Sequence, residues 1–337
     1  MKRKIAIIAG GDSSEYEVSL RSAAGIQSFL SDQHQYTTTI VLLRGQDWRA
    51  QVGDNEWVVM DKNDFSYTHN GAKMLFDFAY ITIHGTPGEN GLLQGYLDMI
   101  GLPYSCCGVL AAAITFNKYT CNHYLKGFGV RVAENLLLRQ SDYQYPISDT
   151  RYPISNILTQ IGLPCFIKTN VGGSSFGVTK VKTIEEVEPA IEKAFAEGNE
   201  VICEAFMKGV EITCGAYKTR DKAVAFPITE VVTNNEFFDY DAKYNGQVDE
   251  ITPARIPDEV RDKVQAMTLK IYDILGCKGI IRVDYILTDD WTINLLEVNT
   301  TPGMTATSFI PQQVRAAGLN IGVVLSEIIE DSLNAKQ

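Results

Sequence analysis

The sequence predicts an α/β protein whose second half takes on α+β character. Strand and helix patterns alternate over residues 1–105, which is typical of a parallel sheet with helices on its faces. Near the end of the chain, two apolar stretches at 280–287 and 293–299 follow one another closely, which is typical of an antiparallel hairpin. The length of 337 residues indicates two domains, or three small ones.

The composition is that of a globular protein with a buried core: 45% of the residues are hydrophobic, 10% aromatic and 21% charged. These fractions exclude a disordered or collagen-like chain. With 30 Lys and Arg against 41 Asp and Glu, the net charge is −11, so we expect no nucleic-acid partner. A ligand that carries phosphate must therefore meet locally concentrated cations.

The apolar segments are too short for a membrane protein. Residues 5–9 form an apolar run of only five residues before two glycines, and none elsewhere approaches the ~20 residues that cross a bilayer. We therefore expect no membrane partner and a cytoplasmic location. The seven cysteines are odd in number and include no CxxC pair, so we expect reduced, buried thiols, with catalysis or metal binding as the alternative. They are Cys106, Cys107, Cys121, Cys165, Cys203, Cys214 and Cys277.

Apolar runs and helical periodicity divide the chain into three predicted units, 1–105, 106–205 and 206–337. The first is expected to contain strands 4–9, 38–43 and 78–83, with helices 15–30 and 91–100. The second is expected to contain helix 117–126 and strands 165–169 and 177–181. The third is expected to contain strands 211–217 and 223–231, a polar loop 233–253, helix 258–275, hairpin 279–298 and a closing helix.

The loop after the first strand carries the first candidate ligand-binding residue. Gly10-Gly11 follow that strand and a helix begins close behind, at the strand end where α/β sheets bind ligands. Ser14 and Glu17 have capping-box spacing, which is the structural alternative. That alternative leaves Glu15 unexplained, and we expect its carboxylate to face the ammonium group of a ligand. The GxGxxG spacing of a dinucleotide site is absent.

A histidine follows another predicted strand. His84 opens the glycine-rich segment 84–91, where it can contact an anionic group of a substrate, although a histidine in a loop is more often structural.

The segment 168–177 indicates a phosphate site. Gly172 and Gly177 have P-loop spacing, but Val178-Thr179 replace the Lys-Ser/Thr pair and a strand follows, so this is not a Walker motif. We interpret it as a hairpin loop whose N–H groups and hydroxyls fold over phosphates, with Lys168 supplying charge. A flexible surface hairpin is the alternative. Lys118, in the preceding helix, is a weaker candidate by itself.

The hairpin near the end of the chain carries a charged face. A two-residue turn at Asp289-Asp290 would place Arg282 opposite Glu297. Because side chains alternate along strands, Arg282, Asp284, Glu297 and Asn299 should then share one face. Two carboxylates and an amide oxygen suit a hard cation such as Mg²⁺. A surface ion pair between Arg282 and Glu297 is the alternative.

Two loops complete the set of candidate sites. The hydroxyl-rich turn 300–308 contains Gly303, whose N–H can stabilise an oxyanion. The segment 237–244 mixes aromatic and charged residues within a polar loop, which suits a lid that closes over a reaction. The alternative is a surface loop held by buried aromatic residues.

Taken in order, these motifs resemble the D-alanine–D-alanine ligases of the ATP-grasp superfamily. The resemblance rests on Ser-x-Glu-x-Glu-Val-Ser at 13–19, His84-Gly85 with Gly-x-x-Gly-Leu-Leu-Gln-Gly, and Gly-Leu-Pro-Tyr at 101–104. It continues with Gly-Ser-Ser at 173–175, Tyr-Asp-Ala-Lys-Tyr at 240–244 and Glu-Val-Asn-Thr-Thr-Pro-Gly-Met-Thr at 297–305. It implies a three-domain ATP-grasp fold with an N-terminal parallel α/β sheet, a central lid domain and a C-terminal antiparallel catalytic sheet.

The resemblance also implies roles for individual residues. The implied ATP-binding residues are Lys118, Lys168, Ser174, Glu204, Glu211 and Lys243. The implied ligands of two Mg²⁺ ions, which Mn²⁺ can replace, are Asp284, Glu297 and Asn299. The implied substrate-binding residues are Glu15, His84, Arg282, Gly303 and Ser308. The implied catalytic residues are Glu15, Ser174, Arg282, Gly303 and Tyr244.

The reaction implied is ATP-dependent joining of two D-alanine molecules through an acyl phosphate, for peptidoglycan precursor synthesis, by a homodimer. Tyr244 bears on specificity, because relatives that make D-alanyl-D-lactate resemble this pattern but differ in that region. A D-lactate or D-serine ligase is one alternative. A nucleotide sensor without acceptor chemistry is another, although it would need neither Glu15 nor Arg282 nor Ser308. A nicotinamide oxidoreductase is disfavoured by the missing GxGxxG.

Overall fold

The computed structural model describes residues 2–143, 154, 157–172, 177–233 and 248–334, and within these ranges the chain forms three sheets. The first sheet has the strand order β6-β5-β4-β3-β2-β1-β7. Its strands are β1 (Arg3–Gly10), β2 (Tyr36–Arg44), β3 (Asp47–Gly53), β4 (Glu56–Asp61), β5 (Ser66–His69), β6 (Ala72–Met74) and β7 (Phe78–Ile81).

Only part of the first sheet is parallel. β1 pairs in parallel with β2 and β7, as predicted, whereas β2 to β6 form an antiparallel meander. The sheet predicted to be parallel is therefore antiparallel over residues 47–74, where no strand was predicted. These strands are short and joined by tight turns, one of which contains Asn70 and Gly71 with φ angles of 50° and 76°. Asn-Gly is a strong hairpin signal that the sequence did offer.

The second and third sheets are antiparallel and have the orders β10-β9-β11-β8 and β15-β14-β12-β16-β17, with β13 paired to β12. The second contains β8 (Asn135–Arg139), β9 (Cys165–Thr169), β10 (Thr179–Val181) and β11 (Glu200–Ala205). The third contains β12 (Val210–Lys218), β13 (Ala223–Ala225), β14 (Thr229–Thr233), β15 (Val248–Ile251), β16 (Ile280–Leu287) and β17 (Ile293–Asn299).

Two predictions for the third sheet are corrected. The strand expected over 223–231 is split into β13 and β14, because Pro227 lies between them and has no N–H to donate to a ladder. The polar loop expected over 233–253 contains β15, an edge strand. Its Asp249 and Glu250 are exposed, so it lacks the alternating apolar pattern by which strands are recognised.

The helices lie close to their predicted positions. The 258–275 prediction is confirmed residue for residue, and the helix ends at Gly276 in the left-handed region with φ 61°. The helices are α1 (Tyr16–Leu30), α2 (Leu92–Met99), α3 (Val109–Phe116), α4 (Lys118–Lys126), α5 (Gln140–Tyr143), α6 (Val187–Phe195), α7 (Asp258–Leu275), α8 (Phe309–Ala316) and α9 (Ile321–Asn334). The described residues also include a short π-helix (Ile157–Ile161) and a 3₁₀ turn (Ile184–Glu186).

The hydrophobic cores connect the sheets. One cluster joins α1, α9 and β1 to β12 and β16 of the third sheet, and another joins α3 and α4 to that same sheet. The second sheet packs on α6 around a core of its own. The helices α3 and α4 thus belong to the core of the third sheet, although they lie in the predicted unit 106–205. The boundaries of the three units stay predictions.

All seven cysteines are free and buried, as predicted. Among the described residues, no helix combines the length and the apolar character needed to cross a membrane.

Candidate active site

The β16–β17 hairpin carries the predicted charged face, although its register differs from the prediction. Arg282 pairs with Asn299, and Asp284 pairs with Glu297. The turn has three residues, since the Thr288 N–H donates to the Thr292 carbonyl at 3.2 Å. This turn shifts the register by one residue, and an irregularity between Asp284 and Tyr285 shifts it once more.

The two shifts cancel, so the side chains project to the same face as predicted. Because residues directly opposite in an antiparallel pair project to the same side, Arg282, Asp284, Glu297 and Asn299 do share one face. Glu211 on β12 lies opposite Ile286 and therefore belongs to the same face. This face combines acidic groups, one arginine and one amide.

Arg282 and Asp284 form a buried ion pair on this face. Only 8% of Arg282 and 6% of Asp284 is exposed. The guanidinium Nε and Nη2 donate to the Asp284 oxygens at 2.9 and 2.7 Å, and Nη2 lies 3.7 Å from Glu297 Oε1. Burial opposes the charge of Arg282, but Asp284 and the more distant Glu297 and Glu211 raise its pKa above the usual value. Arg282 is therefore a permanent cation, and its main partner is Asp284 rather than Glu297.

The two candidate phosphate-binding lysines lie on different elements. Lys168, on β9, forms an ion pair with Glu204 on β11, and Asn122 of α4 donates to the other Glu204 oxygen at 3.0 Å. Lys118 begins α4, and its Nζ donates to the carbonyl of Gly172 at 2.6 Å. Burial lowers the pKa of Lys118, while Glu297 opposes that shift and Lys168 adds to it.

Polar contacts tie α4 to the second sheet just before the glycine-rich loop. Asn117 caps α4 by accepting from the Thr120 N–H at 2.8 Å. The side chain of Asn170 accepts from the Tyr119 N–H and donates to Glu200, both at 2.8 Å. Lys118 and the strand that carries Lys168 are thereby held in a defined relation.

The loops after β1 and β7 meet through a hydroxyl. Ser13 Oγ donates to the His84 carbonyl at 2.7 Å and accepts from the Glu15 N–H at 3.2 Å. The helix α1 begins after Glu15, whose side chain makes no cap hydrogen bond. The capping box considered for Ser14 and Glu17 is therefore wrong, because the Ser13 turn shifts the helix start by one residue. His84 is buried, with 5% exposed.

The turn after β17 packs against α1. The Met304 N–H donates to Ser22 Oγ at 3.2 Å, and a Cβ on Gly25 would lie 2.2 Å from the Met304 carbonyl oxygen. Within the turn, a Cβ on Gly303 would lie 3.0 Å from Ser308 Oγ. Gly303 and Ser308 are therefore neighbours, and the close packing of Gly25 brings this turn to the helix that follows Glu15.

Three predicted site residues, Ser174, Lys243 and Tyr244, lie outside the described residues, as does the predicted lid segment 237–244.

The donor set on the β16–β17 face fits a hard divalent cation. Within the described ranges, no group of three or more His, Cys, Asp and Glu side chains is arranged to hold a metal ion. The hairpin's two carboxylates on this face, Asp284 and Glu297, share it with the Asn299 amide. That amide is held in place because its Oδ1 accepts from the Thr301 N–H at 3.0 Å. Carboxylate and amide oxygens of this kind are ligands that suit Mg²⁺.

Comparison with known proteins identifies the family. Family models described as the N-terminus and the C-terminus of D-ala D-ala ligase match residues 4–107 and 124–330. The chain belongs to the D-alanine–D-alanine ligase family. It is 65% identical to the D-alanine--D-alanine ligase of Bacteroides fragilis over 331 residues, which cover 98% of this chain and 99% of that protein. The predicted family is confirmed.

Solved structures support the same fold. D-alanyl-alanine synthetase A from Vibrio cholerae superposes with a TM-score of 0.86 at 29% identity, covering 99% of each chain. The VanG D-Ala:D-Ser ligase from Enterococcus faecalis superposes with a TM-score of 0.85 at 28% identity, covering 98% of this chain and 99% of that one. The predicted α/β class is confirmed, and the fold alone does not distinguish the two kinds of ligase.

One carboxylate beside these candidate residues, Glu89, was not predicted from the sequence to have a role. Glu89 Oε2 accepts from the Gly85 N–H at 2.7 Å, and the Glu89 N–H donates to the Gly85 carbonyl at 2.8 Å. Burial, and then the negative charge of Glu15, raise the pKa of Glu89 to about 8. Its position five residues after His84 in a glycine-rich loop was a usable signal. Glu89 holds the His84 loop and brings a readily protonated carboxyl close to Glu15.

We expect Glu89 to make stability depend on pH. A carboxyl whose pKa rises on folding binds its proton more tightly in the folded state, and this tighter binding stabilises the fold. The stabilisation is complete below the unfolded pKa of 4.5 and is lost as the pH rises to about 8. In Glu89→Gln the fall in melting temperature over this interval should be smaller than in the unmodified protein. Parallel melting curves against pH for the two proteins would disprove the assignment.

Proposed function

We propose that the protein joins two D-alanine molecules into D-alanyl-D-alanine, consuming ATP in the presence of a divalent metal and releasing ADP and phosphate, for peptidoglycan precursor synthesis. The observation that carries the proposal is the acidic face of the β16–β17 hairpin, with Lys118 close enough to Glu297 for their charges to interact. Family membership and 65% identity to a D-alanine--D-alanine ligase support the choice of reaction.

The nucleotide would lie between the second and third sheets. Lys118 and Lys168 supply positive charge from α4 and β9, with Ser174 and Lys243 proposed as further phosphate contacts. Glu204 and Glu211 are proposed to bind the adenine and ribose. The Glu204 carboxylate is held between Lys168 and Asn122, so its orientation is set before a nucleotide arrives.

Asp284, Glu297 and Asn299 are proposed to hold two Mg²⁺ ions, which Mn²⁺ can replace. When bound, a divalent cation neutralises charge on the transferring phosphoryl group. Asn299 presents its amide from a position held by Thr301, while Glu297 lies at the open edge of the face with 40% of its side chain exposed.

The first step activates a carboxylate, which is otherwise a poor acyl donor. Glu15 is proposed to bind the ammonium group of the first D-alanine, and His84 its carboxylate. The two residues are neighbours because Ser13 contacts the backbone of both. Holding this carboxylate in line with the terminal phosphate of ATP produces an acyl phosphate and ADP.

The second step forms the peptide bond. Ser308 is proposed to hold the carboxylate of the second D-alanine, whose amine attacks the acyl phosphate. Arg282 and the Gly303 N–H are proposed to stabilise the resulting oxyanion before phosphate leaves. Because water would hydrolyse the intermediate, we propose that Lys243 and Tyr244 close a lid over it, with Ser174 contributed by the glycine-rich loop.

Two further proposals follow from family membership. The protein is proposed to act as a homodimer, and in the cytoplasm.

The reaction products test the proposal. Purified protein with Mg²⁺ and ATP should release phosphate when D-alanine is added but not when L-alanine is added, and mass spectrometry should find the dipeptide. With D-alanine plus D-lactate or D-serine, D-alanyl-D-alanine should remain the main product. A mixed product as the main species would overturn the acceptor assignment. ATP binding with no turnover would favour a sensor.

A further inference from the structure

Thr213 lies on the acidic face but has no assigned role. It is in β12, two residues after Glu211 and directly opposite Asp284 of β16, so its side chain projects to the same side as both carboxylates. Only 1% of the residue is exposed, and its Oγ1 has no hydrogen-bond partner among the described residues. An unpartnered buried hydroxyl is unfavourable, so this one is of interest as part of a binding site.

Among the described residues, the backbone carbonyl of Thr213 has a hydrogen-bond partner, whereas its hydroxyl has none. Gln313 donates to the Thr213 carbonyl at 3.0 Å. On the side away from Asp284, the neighbouring Thr229 is already bonded to Gln313 and to Thr252. On its other side Thr213 lies opposite Asp284, whose hydrogen bonding changes in the proposed function.

The ion pair between Asp284 and Arg282 conflicts with the roles proposed for the two residues. Its two carboxylate oxygens accept from Arg282 at 2.9 and 2.7 Å. The proposed function directs Arg282 toward the oxyanion and Asp284 toward a divalent cation. When the two separate, the buried carboxylate loses at least one donor, and a new donor is needed at that position. A cross-strand neighbour is close enough to supply one, since the Cβ atoms of such pairs are ~5 Å apart.

We propose that Thr213 is a positioning residue of the metal site, whose hydroxyl donates a hydrogen bond to the Asp284 carboxylate when that group turns from Arg282 to the cation. The inference rests on the proposed metal site and adds a residue to it. It assigns a partner to a hydroxyl that is buried without one among the described residues.

The test compares Thr213→Val, which keeps the shape of the side chain, with Thr213→Ser, which keeps the hydroxyl. In Thr213→Val the metal-free protein should melt at the same temperature as the unmodified protein or higher, because an unsatisfied polar group is removed. The concentration of Mg²⁺ that gives half-maximal thermal stabilisation in the presence of ADP should rise about tenfold, the effect of losing one hydrogen bond to a charged group. Thr213→Ser should restore the Mg²⁺ response.

Thr268→Val is the matched control. This threonine is fully buried, but its hydroxyl is bonded to Val264 at 2.9 Å and to Tyr285 at 2.8 Å. Its removal should lower the melting temperature and leave the Mg²⁺ response unchanged. An unchanged Mg²⁺ response in Thr213→Val would overturn the inference while leaving the metal site intact. An unmodified protein that shows no response to Mg²⁺ would overturn the proposed metal site and the inference with it.

Discussion

Replacement of Glu297 by glutamine is expected to lower kcat at least about 100-fold while the protein stays folded. The amide keeps the size of the side chain but removes the charge that a divalent cation requires, and such a cation contributes several kcal/mol to stabilising a phosphoryl transition state. The fold should survive because 40% of this side chain is exposed and its ion pair with Arg282 is long, at 3.7 Å.

The measurement is kcat at saturating ATP and D-alanine, with circular dichroism and the melting temperature as evidence of folding. Glu134→Gln is a matched control, because that carboxylate is 68% exposed and pairs only with Lys126 on the surface among the described residues, at 3.0 Å. The control should retain full activity. Near-normal turnover in Glu297→Gln would contradict the proposed role in metal binding.

Replacement of Arg282 by lysine is expected to reduce kcat by about 100-fold to 1,000-fold, the range seen when one donor to an oxyanion is removed. Lysine retains a positive charge beside Asp284, so no uncompensated charge is left in the interior. It lacks the planar fork that donates to both Asp284 oxygens. It therefore cannot present to the oxyanion the directed N–H donors of a guanidinium.

Steady-state kinetics separate this effect from a loss of substrate binding. The decrease should appear in kcat, with a smaller change in the KM for D-alanine. Arg261→Lys is a suitable control, since that arginine pairs with Asp258 and Asp262 on the exposed side of α7. An increase in KM with kcat unchanged would contradict this role, because it would show that Arg282 binds the ground state and the transition state equally.

The composition of the acidic face was predictable from the sequence, but its register was not. Alternation along β16 and β17 correctly grouped Arg282, Asp284, Glu297 and Asn299. The predicted pairing of Arg282 with Glu297 is wrong because the turn has three residues and the ladder contains an irregularity. Each change would move the residues to the opposite face, and together they cancel.

The contacts that assemble the site could not be predicted from the sequence. The packing of Met304 on Ser22 and Gly25, and the bonding of Asn122 to Glu204, join residues far apart in the chain. Local periodicity carries no information about such pairs. The raised pKa of Glu89 was not predictable for a related reason, since it depends on burial and on Glu15 across the site.

The most direct test of the central claim is the ligation reaction run with D-alanine labelled with ¹⁸O in its carboxylate. If this site activates the carboxylate as an acyl phosphate, one labelled oxygen must pass to the phosphate released for each dipeptide formed. Mass spectrometry of the phosphate should therefore find one ¹⁸O per molecule. Dipeptide accompanied by unlabelled phosphate would contradict the account.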